Sequence, residues 1–147
     1  MPIKKKDEII IYTDGACDPN PGRGGWAAII IQDGIEKILK GRENESTNNR
    51  MELTAALHAL RAVPPSSRVI LYTDSKYLKL GIEEWMPDWI ARNWRRKGGK
   101  LANLDLWQEL AKQIESHEIT WKWVRGHAGN RYNERADKIA RDAGRGK

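Results

Sequence analysis

Two stretches of this 147-residue chain share one form. "IIIYTDGAC", Ile9 to Cys17, and "VILYTDS", Val69 to Ser75, each lead an apolar, β-branched run into a carboxylate, Asp14 or Asp74. A single aspartate after a strand is an ordinary turn or cap residue. Two on adjacent parallel strands would share one carboxyl edge, where open α/β sheets bind ligands. Neighbouring strands lie about 4.8 Å apart, so the two acids would be close. Glu52 is a third acid. At 100° per residue, Ala56, Leu60, Leu53 and Leu57 fall about 40° to 140° from it, so it borders an apolar stripe. An acid snorkelling at the helix edge is the plain alternative. Asp137 is the fourth, with Ala136, Ile139, Ala140 and Ala143 around it, although an aspartate in a charged "NERADK" run is usually solvated.

Bringing such acids together is costly. Two carboxylates 5 Å apart repel by about 3 kcal/mol at an effective dielectric of 20. Protons or cations must compensate. An all-oxygen donor set favours a hard ion such as Mg2+. Two such ions about 4 Å apart, bridged by carboxylates, form the clamp used for in-line attack on phosphodiesters.

The elements that would position these acids follow from pattern. Strands are expected at 8–16, 26–32, 35–43, 68–75 and 119–124, with "DPNPGRGG" as loop and "DG" at 33–34 as a hairpin turn. "STNNRMELTAALHALRAV" (46–63) has helical period, with Thr47 or Asn48 as N-cap and "PP" at 64–65 as its stop. A short helix follows the fourth strand. Residues 103–117 form an amphipathic helix with Leu106, Leu110 and Ile114 at four-residue spacing, and 133–144 close the chain as a helix. This order implies an α/β fold, a mixed five-stranded sheet flanked by helices, in one domain spanning 1–147.

Lys and Arg exceed Asp and Glu by 26 to 20, a net charge of +6 that suits a polyanionic partner. The charge is uneven. "WMPDWIARNWRRKGGK" (85–100) holds five cations (Arg92, Arg95, Arg96, Lys97, Lys100), one acid (Asp88) and three of the seven tryptophans. The segment 121–147 holds eight cations and three acids. The single Cys17 makes no internal disulfide and points to a reducing compartment, the cytoplasm. No stretch approaches the roughly 20 apolar residues of a membrane span, and no apolar signal segment follows "MPIKKKDE".

"YTDGACDPNPGRGGWA", "TNNRMELTAALHAL", "YTDSKY" and "WVRGHAGNRYNERAD" together resemble the bacterial type 1 ribonuclease H family, collinearly over about residues 8–143. The resemblance implies a ribonuclease H-like fold and an endonuclease that hydrolyses the RNA strand of RNA–DNA hybrids by a two-metal-ion mechanism. Cleavage would be independent of sequence and leave 5′-phosphate and 3′-hydroxyl ends. The cofactor would be Mg2+, two ions with substrate, with Mn2+ as an alternative. The metal-binding carboxylates fall on Asp14, Glu52, Asp74 and Asp137, and the mobile catalytic histidine on His127, between Gly126 and Gly129. A loop histidine of near-neutral pKa can shuttle protons or help product leave. His58 and His117 are expected to be structural.

Hybrid recognition reads the 2′-hydroxyl in a shallow minor groove. By resemblance, Asn20, Asn48 and Asn49 lie near the RNA strand, with Cys17 close by, although helix capping is an alternative role for Asn48 and Asn49. Thr47 helps hold a DNA phosphate. Residues 85–100 match a basic protrusion that binds the DNA strand, with Trp85, Arg92, Arg95, Arg96 and Lys97 as contacts and Trp89 packing inward. A solvated charged helix is the plain alternative. One departure stands out: Asp88 occupies a position where relatives often carry asparagine in the DNA-phosphate pocket, and an acid there repels phosphate. No added hybrid-binding domain is apparent, so low processivity is expected, and the resemblance together with the lack of a clear apolar patch motif implies a monomer. Other readings are a DNA-directed nuclease on the same fold, a binding module with a dead site, and a ribosomal-type basic protein.

Overall fold

The computed structural model describes residues 8–95, 101–125 and 130–147. Its sheet has five strands: β1 (Glu8–Cys17), β2 (Gly22–Gln32), β3 (Ile35–Ser46), β4 (Arg68–Thr73) and β5 (Glu118–Trp123). They lie in the order β3-β2-β1-β4-β5. β1–β2 and β2–β3 pair antiparallel, and β1–β4 and β4–β5 pair parallel. The expected mixed sheet is therefore present, and the two YTD strands are neighbours.

Helix α1 (Asn48–Arg61) follows the first three strands. Thr47 is its N-cap, its hydroxyl accepting from the Arg50 N–H at 3.1 Å. The helix stops at Arg61, before the two prolines. After β4, Ser75 caps α2 (Lys76–Leu80), which continues through a π-helical turn (Gly81–Trp85) into α3 (Met86–Ala91). Helix α4 spans Leu104–Ser116, and α5 spans Arg131–Gly144 with Asn130 as N-cap.

Period-2 alternation divides the sheet's faces. Ile9, Ile11, Val69 and Leu71 are buried in the core with Leu53, Leu60, Trp107 and Leu110 from α1 and α4. Tyr12 and Tyr72 point to the opposite face, stack on each other at 4.6 Å, and Tyr12 stacks on Tyr132 of α5 at 4.9 Å. Trp89 packs inward against Trp107, as its sequence context predicts. His58 stacks on Trp26, and His117 accepts from the Ser67 N–H, both structural roles.

β3 runs on to Ser46, β4 stops at Thr73 and α5 starts at Arg131, and the largest departure from the sequence reading is the start of β2. Gly22–Gly25 belong to β2, not to the preceding loop. Turn-forming composition is overridden here by packing against α5. A Cβ on Gly25 would lie 2.0 Å from the Ala140 carbonyl oxygen. Only glycine lets that helix settle on the strand.

Candidate active site

The parallel register pairs Tyr12 with Tyr72. Asp14 and Asp74 each follow that pair by two residues, so both strands deliver their acids to the same sheet edge. Helix α1 brings Glu52 to this edge because Gly15 has no side chain. A Cβ on Gly15 would sit 2.3 Å from the Met51 carbonyl carbon and 2.4 Å from the Glu52 nitrogen. Gly15→Ala is therefore expected to push α1 off β1. It should lower the unfolding free energy by at least about 2 kcal/mol, since backbone cannot yield as a side chain can. Urea denaturation of the variant beside wild type measures this.

Asp14, Glu52 and Asp74 each place a carboxylate oxygen within 4.8 Å of the others. Asp14 and Glu52 are buried and Asp74 half-buried. Burial, reinforced by the Asp74 charge, pushes the Asp14 carboxyl up to about 8. Burial and then the Asp14 charge drive Glu52 well above the carboxylate range. Asp74 is also raised, first by burial, while the Asn133 side chain acts in the opposite direction. The Gly15 N–H donates to Asp14 Oδ1 at 2.9 Å.

Oε1 of Glu52 is buried without a hydrogen-bond partner. Such an oxygen is costly to leave unsatisfied. A buried, all-carboxylate set with one unmatched acceptor fits a hard divalent cation, which would supply both the missing charge and the missing partner.

Asp137, on α5, lies outside this three-acid group. Its Oδ2 is held by Arg141 Nη2 at 3.0 Å. It still faces the cluster, since its charge raises both Asp14 and Asp74. Asn133 and Arg141 flank Asp137 at i−4 and i+4 on one face of α5. Sequence reasoning passed over both. Their four-residue spacing from Asp137 was the available signal.

The residues assigned to the RNA side are gathered beside the cluster. Asn48 Oδ1 accepts from the Cys17 N–H at 2.6 Å, and Asn20 Oδ1 accepts from the Asn48 N–H at 3.1 Å. Both amides are thus fixed through their oxygens, which leaves each NH2 as a donor. Asn20, Asn48 and Asn49 are exposed, whereas the Cys17 thiol is buried against the carbonyls of Pro19, Gly22 and Ser46. Thr47 is exposed, and its hydroxyl, already accepting from Arg50, keeps its proton for an outside acceptor.

On the other side, Tyr77, Trp85 and Trp89 line an open aromatic cavity of about 340 Å³ with Leu101 and Ala102. Arg92 and Arg95 are exposed. Asp88 is exposed and pairs with Arg92 at 3.4 Å. The acid therefore engages one of the expected DNA-strand cations. His127, Arg96 and Lys97 lie outside the described residues.

A family model described as RNase H matches residues 6–145 of the chain. The chain is 55% identical to a protein named ribonuclease H from Granulibacter bethesdensis over 136 residues, 92% of this chain and 91% of that one. Its fold is similar to the crystal structure of LC9-RNase H1, a type 1 RNase H with the type 2 active-site motif. The TM-score is 0.86 at 33% identity, over 95% of this chain and 73% of that one. It is also similar in fold to LC11-RNase H1 solved in complex with an RNA/DNA hybrid. There the TM-score is 0.66 at 20% identity, over 92% and 95% of the two chains.

Proposed function

Because the chain belongs to the ribonuclease H family, we propose that it hydrolyses the RNA strand of RNA–DNA hybrids at a site built on Asp14, Glu52, Asp74 and Asp137. The observation that carries this reading is the carboxylate trio, two of its acids buried and one half-buried, with its unpartnered Glu52 oxygen. The four carboxylates would hold two Mg2+ ions with substrate, Mn2+ being the alternative. Bound there, the ions would supply a nucleophile at neutral pH and stabilise the leaving oxygen, and the expected ends are 5′-phosphate and 3′-hydroxyl.

The protein's own groups prepare this chemistry. β1 and β4 fix Asp14 and Asp74 at the sheet edge, and α1 presses Glu52 against them. These acids are rigid because their elements are packed in the core. The NH2 groups of Asn20 and Asn48, oriented by their own hydrogen bonds, are placed to donate to 2′-hydroxyls, with Asn49 exposed beside them and the Cys17 backbone buttressing the group. Thr47 donates to a DNA phosphate. Trp85 and the cations Arg92, Arg95, Arg96 and Lys97 support the DNA strand, while Asp88 offsets part of their charge through Arg92. His127 carries protons to or from the reacting oxygens. The protein acts as a monomer in the cytoplasm; no helix among the described residues is long and apolar enough to cross a membrane.

The test is substrate choice. Labelled RNA–DNA hybrid, double-stranded RNA and double-stranded DNA are incubated with the protein and Mg2+. Cutting of the hybrid's RNA alone is expected. Cutting of DNA alone would favour a DNA-directed nuclease on the same fold.

A further inference from the structure

A cavity of about 350 Å³ lies beside the carboxylates, between the end of β1 and the C-terminal turns of α5. Ala16 and Cys17 line one side, and Asn48 reaches its rim. Three arginines line it, Arg23, Arg141 and Arg145, with one acid, Asp18. Arg23 and Arg145 are exposed, and neither forms an ion pair among the described residues. Arg141 is engaged at one nitrogen only, by Asp137. An arginine fork has donors left over after one such bond.

We propose that this cavity is a phosphate subsite, which takes a phosphate of the RNA strand near the linkage that is cut. The inference rests on the hybrid-cleaving reading above. Converging guanidiniums match phosphate oxygens better than any neutral ligand. The cavity floor at Ala16 is two residues beyond Asp14, about 7 Å along the strand. One polynucleotide strand can span that distance from its reacting linkage to a neighbouring phosphate. Asn48, whose Oδ1 is held by the Cys17 N–H so that its NH2 is left as a donor, borders the same cavity. Arg141 joins the two sites physically. One of its nitrogens holds Asp137, and its remaining donors are left for the phosphate.

The test uses the full chain, the Arg23→Gln/Arg145→Gln double variant and its lysine counterpart. Both positions are exposed, so folding should survive; circular dichroism melting checks this. Hybrids carry single methylphosphonates stepped along the RNA or the DNA strand. With Mg2+, wild type should lose cleavage about tenfold at a fixed offset from one modified RNA linkage. The glutamine variant should cut unmodified hybrid about tenfold less well at low substrate, and the modified linkage should cost it nothing more. Without metal, its salt slope for hybrid binding should fall by about 0.9, one phosphate contact, and the lysine variant should restore it. A fixed-offset loss mapping to the DNA strand, additive losses, or competition by inorganic phosphate without any linkage dependence would overturn the subsite. Failure of wild type to cut unmodified hybrid would instead remove the reading on which the subsite rests.

Discussion

Asp14→Asn should lower kcat on RNA–DNA hybrid by about a thousandfold or more, equivalent to about 4 kcal/mol of barrier, while leaving the protein folded. Asparagine keeps the shape of the side chain but loses the charge that would hold a cation between β1 and α1. The buried position makes the effect on stability run the other way. In the metal-free protein, Asp14 shares a desolvated edge with Glu52 and Asp74 and carries a raised pKa. Removing one acid relieves that repulsion. At pH 8 without metal, the variant should therefore melt above wild type while being nearly inactive with Mg2+. A gel assay and a melting curve on the same samples measure both. A variant that is active and less stable would show that Asp14 is a structural cap.

A second large effect is the dependence of stability on pH and metal. Asp14 ordinarily ionises near 3.8 but is pushed up to about 8 in the folded protein. A raised folded pKa means that the native state binds more protons than the unfolded chain. The contribution is fully present below 3.8 and is lost as pH rises toward 8. Glu52 and Asp74, shifted in the same direction, add to it. His58 opposes them: burial lowers it from 6.5, so its share of stability grows as pH rises to that value. Asp105, held low by Arg50, and Glu109, held low by Lys112, contribute stability that is lost only in acid. The informative window is therefore pH 6.5 to 8. There the metal-free protein should lose about 2 kcal/mol, at about 1.4 kcal/mol per pH unit for each proton released. Mg2+ should cancel the loss, because it binds the deprotonated carboxylates of the native state alone. Urea titrations at both pH values, with Mg2+ or with a chelator, check this. A metal-free protein that gains stability across the window would contradict the buried, charge-starved cluster.

Much of the carboxylate edge was legible in sequence because its signals are local. An apolar, period-2 run ending in aspartate describes a strand and its terminus together, and repeating it in β1 and β4 placed two acids at one edge. Glu52 was legible because helical period set it beside the apolar stripe of α1. What escaped depends on tertiary packing. The "GRGG" segment reads as a turn, yet Gly22–Gly25 form strand, with Gly24 backed by Met51 of α1 and Gly25 by Ala140 and Gly144 of α5 in the space side chains would fill. Asn133 and Arg141 look like solvated polar residues until α5 is laid across the sheet; then Asn133 is buried against Asp74 and Arg141 holds Asp137. The Asp88–Arg92 pair shows the same limit. Sequence marked Asp88 as out of place beside a phosphate, but only the i, i+4 geometry of the helical turn showed which cation it engages.

The most direct test of the carboxylate site is a single-turnover Mg2+ titration of hybrid cleavage, with the RNA and DNA strands labelled separately. If the proposed pair of ions does the chemistry, cutting should appear only on the RNA strand, rise with Mg2+ more steeply than first order, and vanish in excess chelator. RNA cleavage that persists in chelator, or cutting of the DNA strand with the same metal dependence, would contradict a metal-loaded carboxylate site selective for RNA.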